Sequence, residues 1–269
     1  MAESRGLGDV YKRQMWDVFK NFLFDILVYF HNYTHDWGAA ILVVTFIIRL
    51  ILSPLMHAAT KSTYGMRKAQ PKIKAIQEKF AGDQQKLAQE MQKLYAEAKF
   101  NPISGCLPLF LQAPIFIALY QVLTEMHDRL GNTHYGFYNL VPNLVLSPSM
   151  AIHDGFAVFT PYLILLIVFA FATFAPMVLM QIGQPNTQRT QMFLMAGFMT
   201  VFMLWVGWSS PAGVLLYWGT SSLVAVIQQQ TSLYIMQKRD KENEENGAEP
   251  SNDVYVVRKE RKKKPTKKA

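Results

Sequence analysis

Apolar residues in this chain gather in long blocks separated by charged segments. Roughly 20 apolar residues cross a bilayer core about 30 Å thick. Five blocks approach or exceed that length: 37–56, 103–123, 156–180, 192–208 and 214–236. The fourth is short, and the third is long enough to tilt. Prolines 54, 108, 114 and 176 lie within them, and membrane helices tolerate proline where neighbours satisfy the freed carbonyls. The pattern predicts an all-α polytopic membrane protein with five spanning helices.

Two further segments have a helical period without the length to span. In 16–30, Asp17, Asn21 and Asp25 share one face, while Trp16, Phe19, Phe22, Leu23, Ile26 and Phe30 share the other. That pattern predicts an amphipathic helix lying in the membrane interface, within a segment 15–36. In 57–100, Met66, Ala69, Ile73, Ile76 and Phe80 recur every three or four residues, as do Leu87, Met91, Leu94 and Ala98. Ala81, Gly82 and Asp83 lie between the two runs, with Gly82 able to end one helix and Asp83 to cap the next. Asn101 and Pro102 stop the second run. The reading is an antiparallel helical hairpin, kinked at Pro71.

Charge gives these elements an orientation. The chain carries 27 Lys and Arg against 19 Asp and Glu, for a net charge of +8. Nine of the basic residues fall in 57–100 and eleven in 237–269. The connection 125–155 has one, Arg129. The positive-inside rule places the hairpin and the tail in the cytoplasm. Five spans then put the N-terminus outside and the C-terminus inside. Residues 237–269 are basic, then acidic and polar, then basic again, with little to bury, and are expected to be disordered. Residues 1–14 show no helical period and no signal-peptide core, and are read as a non-native leader ahead of Met15.

Candidate chemistry is sparse. Arg49 lies 12 residues into the first span, where a charge costs at least about 2.5–3.5 kcal/mol on insertion scales. Its side chain either snorkels past Ser53 to the headgroups or faces a wet cavity. Thr45 and Ser53, one turn to either side, extend a polar stripe that favours the cavity. Gln112 and Gln121 in the second span, Thr173 in the third, and Thr220, Ser221, Ser222, Gln228, Gln229 and Gln230 in the fifth are the other polar groups inside the spans. Ser and Thr there serve equally as interhelical links. Met177 and Met180 on the third span, with Met192, Met195, Met199 and Met203 on the fourth, are either core and lipid contacts or an adaptable apolar wall.

No metal motif, phosphate loop or nucleophile elbow is present. Cys106 sits in an apolar run as a small hydrophobe, and His31 and His35 have no third metal ligand in view. Neither an enzyme nor a cofactor is expected. The eight basic residues among the last twelve suit anionic lipid or ribosomal RNA equally.

The runs TFIIRLILSP (45–54), KAQPKIKAIQEKF (68–80), KLYAEAKFNPISGCLPLFLQAPIFIALYQVL (93–123) and SSPAGVLLYWGTSSLVAVIQQQ (209–230) closely resemble the YidC family of membrane protein insertases. The resemblance covers about 15–236 and most suits a short bacterial form without a large external domain. It implies a five-helix core, 37–236, around a hydrophilic groove open to the cytoplasm. In that frame Arg49, Thr45, Ser53, Gln112, Trp218 and Ser221 belong to the substrate groove. Met177, Met180, Met195 and Met199 form a slide for the substrate, and Lys68, Lys72, Lys74 and Lys79 on the hairpin recruit it. The implied partners are nascent membrane proteins, the ribosome, anionic lipids and the Sec translocon. A small-solute channel or transporter is the alternative, although no inverted repeat is visible.

Overall fold

The computed structural model describes residues 2–97, 107–131, 134–181 and 186–246. Helices dominate them in the order α1 (Ala2–Thr34), α2 (Trp37–Lys79), α3 (Gln84–Glu97), α4 (Leu107–Thr124), α5 (Met126–Leu130), α6 (Pro148–Ala151), α7 (Phe156–Gln181), α8 (Asn186–Ser209) and α9 (Ala212–Glu245). A single turn of 3-10 helix, Ile152–Asp154, links α6 to α7. Extended pairing among the described residues is one isolated bridge between Phe137 and Val141.

By length and composition, Trp37–Gly65 and Phe156–Ala175 can cross a membrane, and Phe110–Thr124 and Phe193–Ser209 are shorter apolar helices. The first span and the first hairpin arm are one unbroken helix that carries Pro54 and Pro71 inside it. Helices 33 and 34 residues long also replace two predicted irregular segments. Residues 2–14 belong to α1 despite lacking an apolar period, and residues 237–245 extend α9 into what was read as disordered tail. A long helix continues past its apolar stretch because propagation adds one hydrogen bond per residue once the nucleus exists. Residues 247–269, with the terminal basic run, lie outside the described residues, as do Cys106, Asn101 and Pro102.

The chain divides into two compact units. The first comprises Met1–Ser53 and Leu109–Gln228. Its core draws Leu23 and Leu27 from α1, Ile41 and Val44 from α2, Leu119, Val122 and Leu123 from α4, Tyr162 from α7 and Val214 and Tyr217 from α9. Of the predicted apolar face of α1, Phe22 departs: it is exposed beside Met15, Val18, Tyr29 and Tyr33, while Leu23 and Leu27 turn inward. The reason is polar docking. Trp16 Nε1 donates to Gln121 Oε1 at 2.7 Å, Lys20 Nζ to Glu125 Oε1 at 2.7 Å, and Arg129 Nη1 to Asn21 Oδ1 at 3.0 Å. The Lys20 and Arg129 bonds, against a smaller opposing effect of burial, hold the Glu125 carboxyl below the usual range.

The segment 134–147 is pinned to the helix ends. Asp36 Oδ1 accepts from Ala39 N at 2.7 Å as the N-cap of α2, and its Oδ2 accepts from Tyr138 N. Ala212 N and Gly213 N at the start of α9 donate to Leu146 O and Leu144 O, each at 2.9 Å. Phe137 lies so close to Gly38 that a Cβ there would sit 2.1 Å from its Cδ2. Gly38→Ala is therefore expected to destabilise this unit by about 1–3 kcal/mol through overpacking, read as a lower melting temperature in detergent.

The second unit comprises Pro54–Pro108 and Gln229–Ala269. The hairpin is present in it. Ala69, Ile73 and Leu94 are buried together, with Ile76 and Met91 packed against them. Asp83 caps α3 as predicted, its Oδ1 accepting from Lys86 N at 3.0 Å, and that bond lowers its carboxyl pKa. Gly82 lies in the turn that ends α2, without a positive φ. The turn instead closes through Phe80 N to Ile76 O and Asp83 N to Phe80 O, each 3.0 Å. A polar seam joins α2 to the end of α9 in the same unit. His57 Nδ1 lies 2.9 Å from Ser232 Oγ, and Asp240 accepts from Tyr64 OH at 2.6 Å and pairs with Lys68. Burial raises the Asp240 carboxyl, but Lys68 and Tyr64 outweigh it and leave its pKa lowered.

Candidate functional site

Helical spacing alone carries Ile41, Thr45 and Arg49 along one face of α2, each four residues from the next. Ser221 lies one turn beyond Tyr217 on α9. Gln112 comes from α4. These side chains meet inside the first unit. Arg49 is 8% exposed and Ser221 1%. Arg49 Nε donates to Ser221 Oγ at 2.7 Å, and its Nη2 donates to Gln112 Oε1 at 3.3 Å. The Gln112 amide nitrogen then donates to Tyr217 OH at 2.6 Å and reaches Ser221 Oγ at 3.5 Å. Gln228 Nε2 donates to the Arg49 main-chain carbonyl at 3.1 Å.

The electrostatics of this cluster are lopsided. No carboxylate among the described residues pairs with Arg49. Its charge is held by neutral groups only. Gln228 Oε1 is the one buried side-chain nitrogen or oxygen without a partner among the described residues. The bonds described to Ser221 and Gln112 use two of the N–H donors of Arg49. A guanidinium has five N–H donors and cannot lose its charge in a protein. An N–H left over attracts a carboxylate, a carbonyl or water.

The other predicted groove residues distribute differently. Thr45 is 1% exposed, and its hydroxyl donates to Ile41 O at 2.6 Å, back into its own helix. Its side chain lines a small apolar cavity of about 10 Å³ with Leu23, Leu27, Ile41, Val44, Ile48, Ile115, Leu119 and Tyr217. The polar stripe of three is thus interrupted, because the Thr45 hydroxyl is satisfied locally. Thr45→Val is expected to change stability by less than about 0.5 kcal/mol, since no interhelical bond is lost; a thermal melt reads it. Ser53 is half-buried and makes no hydrogen bond to this cluster. Trp218 stands apart from the Arg49 network. Its Nε1 donates to Thr173 Oγ1 at 3.2 Å, and its ring meets Phe116 and Phe169 edge-on or tilted at 5.3 and 6.0 Å.

Met195 is exposed and Met199 half-buried on α8, while the side chains of Met177 and Met180 fall outside the described residues. Of the hairpin lysines, Lys68 is engaged by Asp240, Lys74 pairs with Glu78 at 3.8 Å and Lys79 lies over the Phe80 ring. Lys72 also has a partner. Two residues of the cluster lie outside the predicted groove set: Tyr217, which no polar pattern marks, and Gln228, which the sequence marks only as one of the polar groups inside the fifth span. Counting back four and forward seven from Ser221 along one helix face finds both.

The family model described as 60Kd inner membrane protein matches residues 29–242. A membrane protein insertase YidC of Blochmanniella floridana is 34% identical over 227 residues, covering 82% of this chain and 37% of the relative. One of Shewanella amazonensis is 37% identical over 217 residues, covering 80% and 36%. The chain thus spans little more than a third of the length of these curated relatives. A crystal structure described as an active YidC insertase with its first transmembrane domain resolved aligns with TM-score 0.60 and 30% identity, over 81% of this chain and 46% of that one.

Proposed function

This chain belongs to the 60Kd inner membrane protein family, and on that premise we propose that it is a membrane protein insertase working from the Arg49 cluster. The observation that carries the reading is a buried arginine with no acidic partner among the described residues, whose described bonds use two of its five donors. A stability device would pair the charge. A device for receiving polar groups in transit leaves it open.

In this reading five spans lie in the bacterial cytoplasmic membrane, the N-terminus is outside and the hairpin and C-terminus are in the cytoplasm. A nascent hydrophobic segment meets the hairpin first. Its short polar or acidic flank enters beside Gln112 and Ser221, where Arg49 compensates the charge and keeps water nearby. The apolar segment then passes along the third and fifth spans, near Trp218, into lipid. Burial of roughly 20 apolar residues drives the step, and no covalent chemistry is required. The methionines of α7 and α8 form an adaptable wall against which varied segments slide. The basic tail contacts the ribosome or anionic lipid, and the Sec translocon is a further candidate partner.

Photoreactive residues at positions 49 and 218 test this directly. Both are expected to crosslink to a ribosome-stalled single-span chain, position 49 through its polar flank and position 218 through its hydrophobic segment. Adducts to lipid alone would overturn the reading.

A further inference from the structure

α9 grips α2 at Arg49 twice. Ser221 takes the guanidinium, and Gln228, two turns further along the same helix, takes the main-chain carbonyl of the same residue. The second contact is unusual, because a helix interior carbonyl already has an N–H four residues on. Pro54 explains why extra donors are useful here. Proline brings no N–H to Leu50 O, and its ring presses on that carbonyl, so the bonds around it open and tilt outward. α2 nonetheless continues through Pro54 without a break. Inside a spanning helix, carbonyls loosened in this way find donors from neighbouring helices or from ordered water.

The orientation of the Gln228 amide is dictated by this contact. Were nitrogen and oxygen exchanged, two carbonyl oxygens would face each other at 3.1 Å. The cost of the observed orientation is visible, since Gln228 Oε1 is buried without a partner. A side chain that leaves its acceptor unused in order to place its donor is there for the donor.

We infer that Gln228 is a positioning residue for Arg49: it fixes the α2 backbone at that position, so that the guanidinium is presented to Gln112 and Ser221 with its remaining donors free. This rests on the insertase reading for its functional consequence, but not for its geometry.

Two measurements separate them. In nanodiscs, the Arg49 Nε–H is expected to be slow to exchange with solvent in the native chain and faster by about fivefold to tenfold in Gln228→Met, which keeps length and loses the donor. Gln228→Glu should behave the same way. Gln230→Met, at an exposed neighbour, should leave exchange unchanged. Unaltered Arg49 exchange in correctly folded Gln228→Met and Gln228→Glu overturns the inference, whatever the insertion assay shows. In reconstituted vesicles, Gln228→Met should slow insertion in the native background and add nothing in an Arg49→Ala background. Full additivity there assigns Gln228 to helix packing instead and also overturns it. If Arg49→Ala itself inserts normally, the proposed function fails while the exchange result still stands.

Discussion

Replacing Arg49 by methionine is expected to cut insertion of a single-span substrate with an acidic N-terminal flank by at least tenfold, while leaving the protein folded. The energetics separate the two outcomes. Removing the charge relieves a burial cost of about 2.5–3.5 kcal/mol on insertion scales. It also forfeits two hydrogen bonds from a charged donor, worth about 1.5–3 kcal/mol each. Gln112 Nε2 still donates to Tyr217 and lies within 3.5 Å of Ser221 Oγ, while Gln112 Oε1 loses the one donor described for it. The gain offsets much of the loss, so stability should fall by no more than about 3.5 kcal/mol. Function has no such offset, since no other described positive charge is buried in this unit as Arg49 is. Arg49→Lys keeps the charge on a flexible stem with three donors and should insert within about threefold of native if charge is what matters. A lysine variant as impaired as the methionine one would assign the role to guanidinium geometry. A methionine variant that inserts normally would remove Arg49 from the mechanism.

The second large effect is expected at the hairpin. Ile73 is 3% exposed, packed with Ala69 and Leu94 in a cluster of three buried residues. Ile73→Asp loses about 1.5–3 kcal/mol of apolar burial and places an unpaired carboxylate in the same space. A core that small has no reserve, so the arms should separate or fray. Amides of 69–94 are expected to lose hydrogen-exchange protection while those of 37–53 keep it, and insertion should drop to the level of a chain lacking 61–99. Lys93→Gln, at an exposed residue paired with Glu90 and outside the recruiting set, should change hairpin stability by no more than about 0.5 kcal/mol and leave insertion unchanged. Normal insertion by a chain with a melted hairpin would exclude the hairpin from substrate reception.

The elements are largely legible in the sequence. Period and block length located the amphipathic N-terminal helix, the hairpin and the apolar helices among the described residues, because burial of one face imposes its spacing on the sequence. Their ends were less legible. α2 runs through 56 and α9 through 237 because helix propagation does not stop where hydrophobicity does. Gly82 does lie where α2 ends, but backbone hydrogen bonds close that turn without a positive φ at the glycine.

The site divides along the same line. A charge inside an apolar block is costly wherever the helix packs, so Arg49 was marked by composition and position alone. So were the groups that share its helix face. Which of them it uses was not. Thr45 turned its hydroxyl to Ile41 O, Trp218 paired with Thr173, and Tyr217, Gln112 and Gln228 came in from helices 63 to 179 residues away. Local periodicity determines which residues can face inward. The partner of each inward polar group depends on helix register and rotation across the bundle, and only the packed tertiary structure decides those.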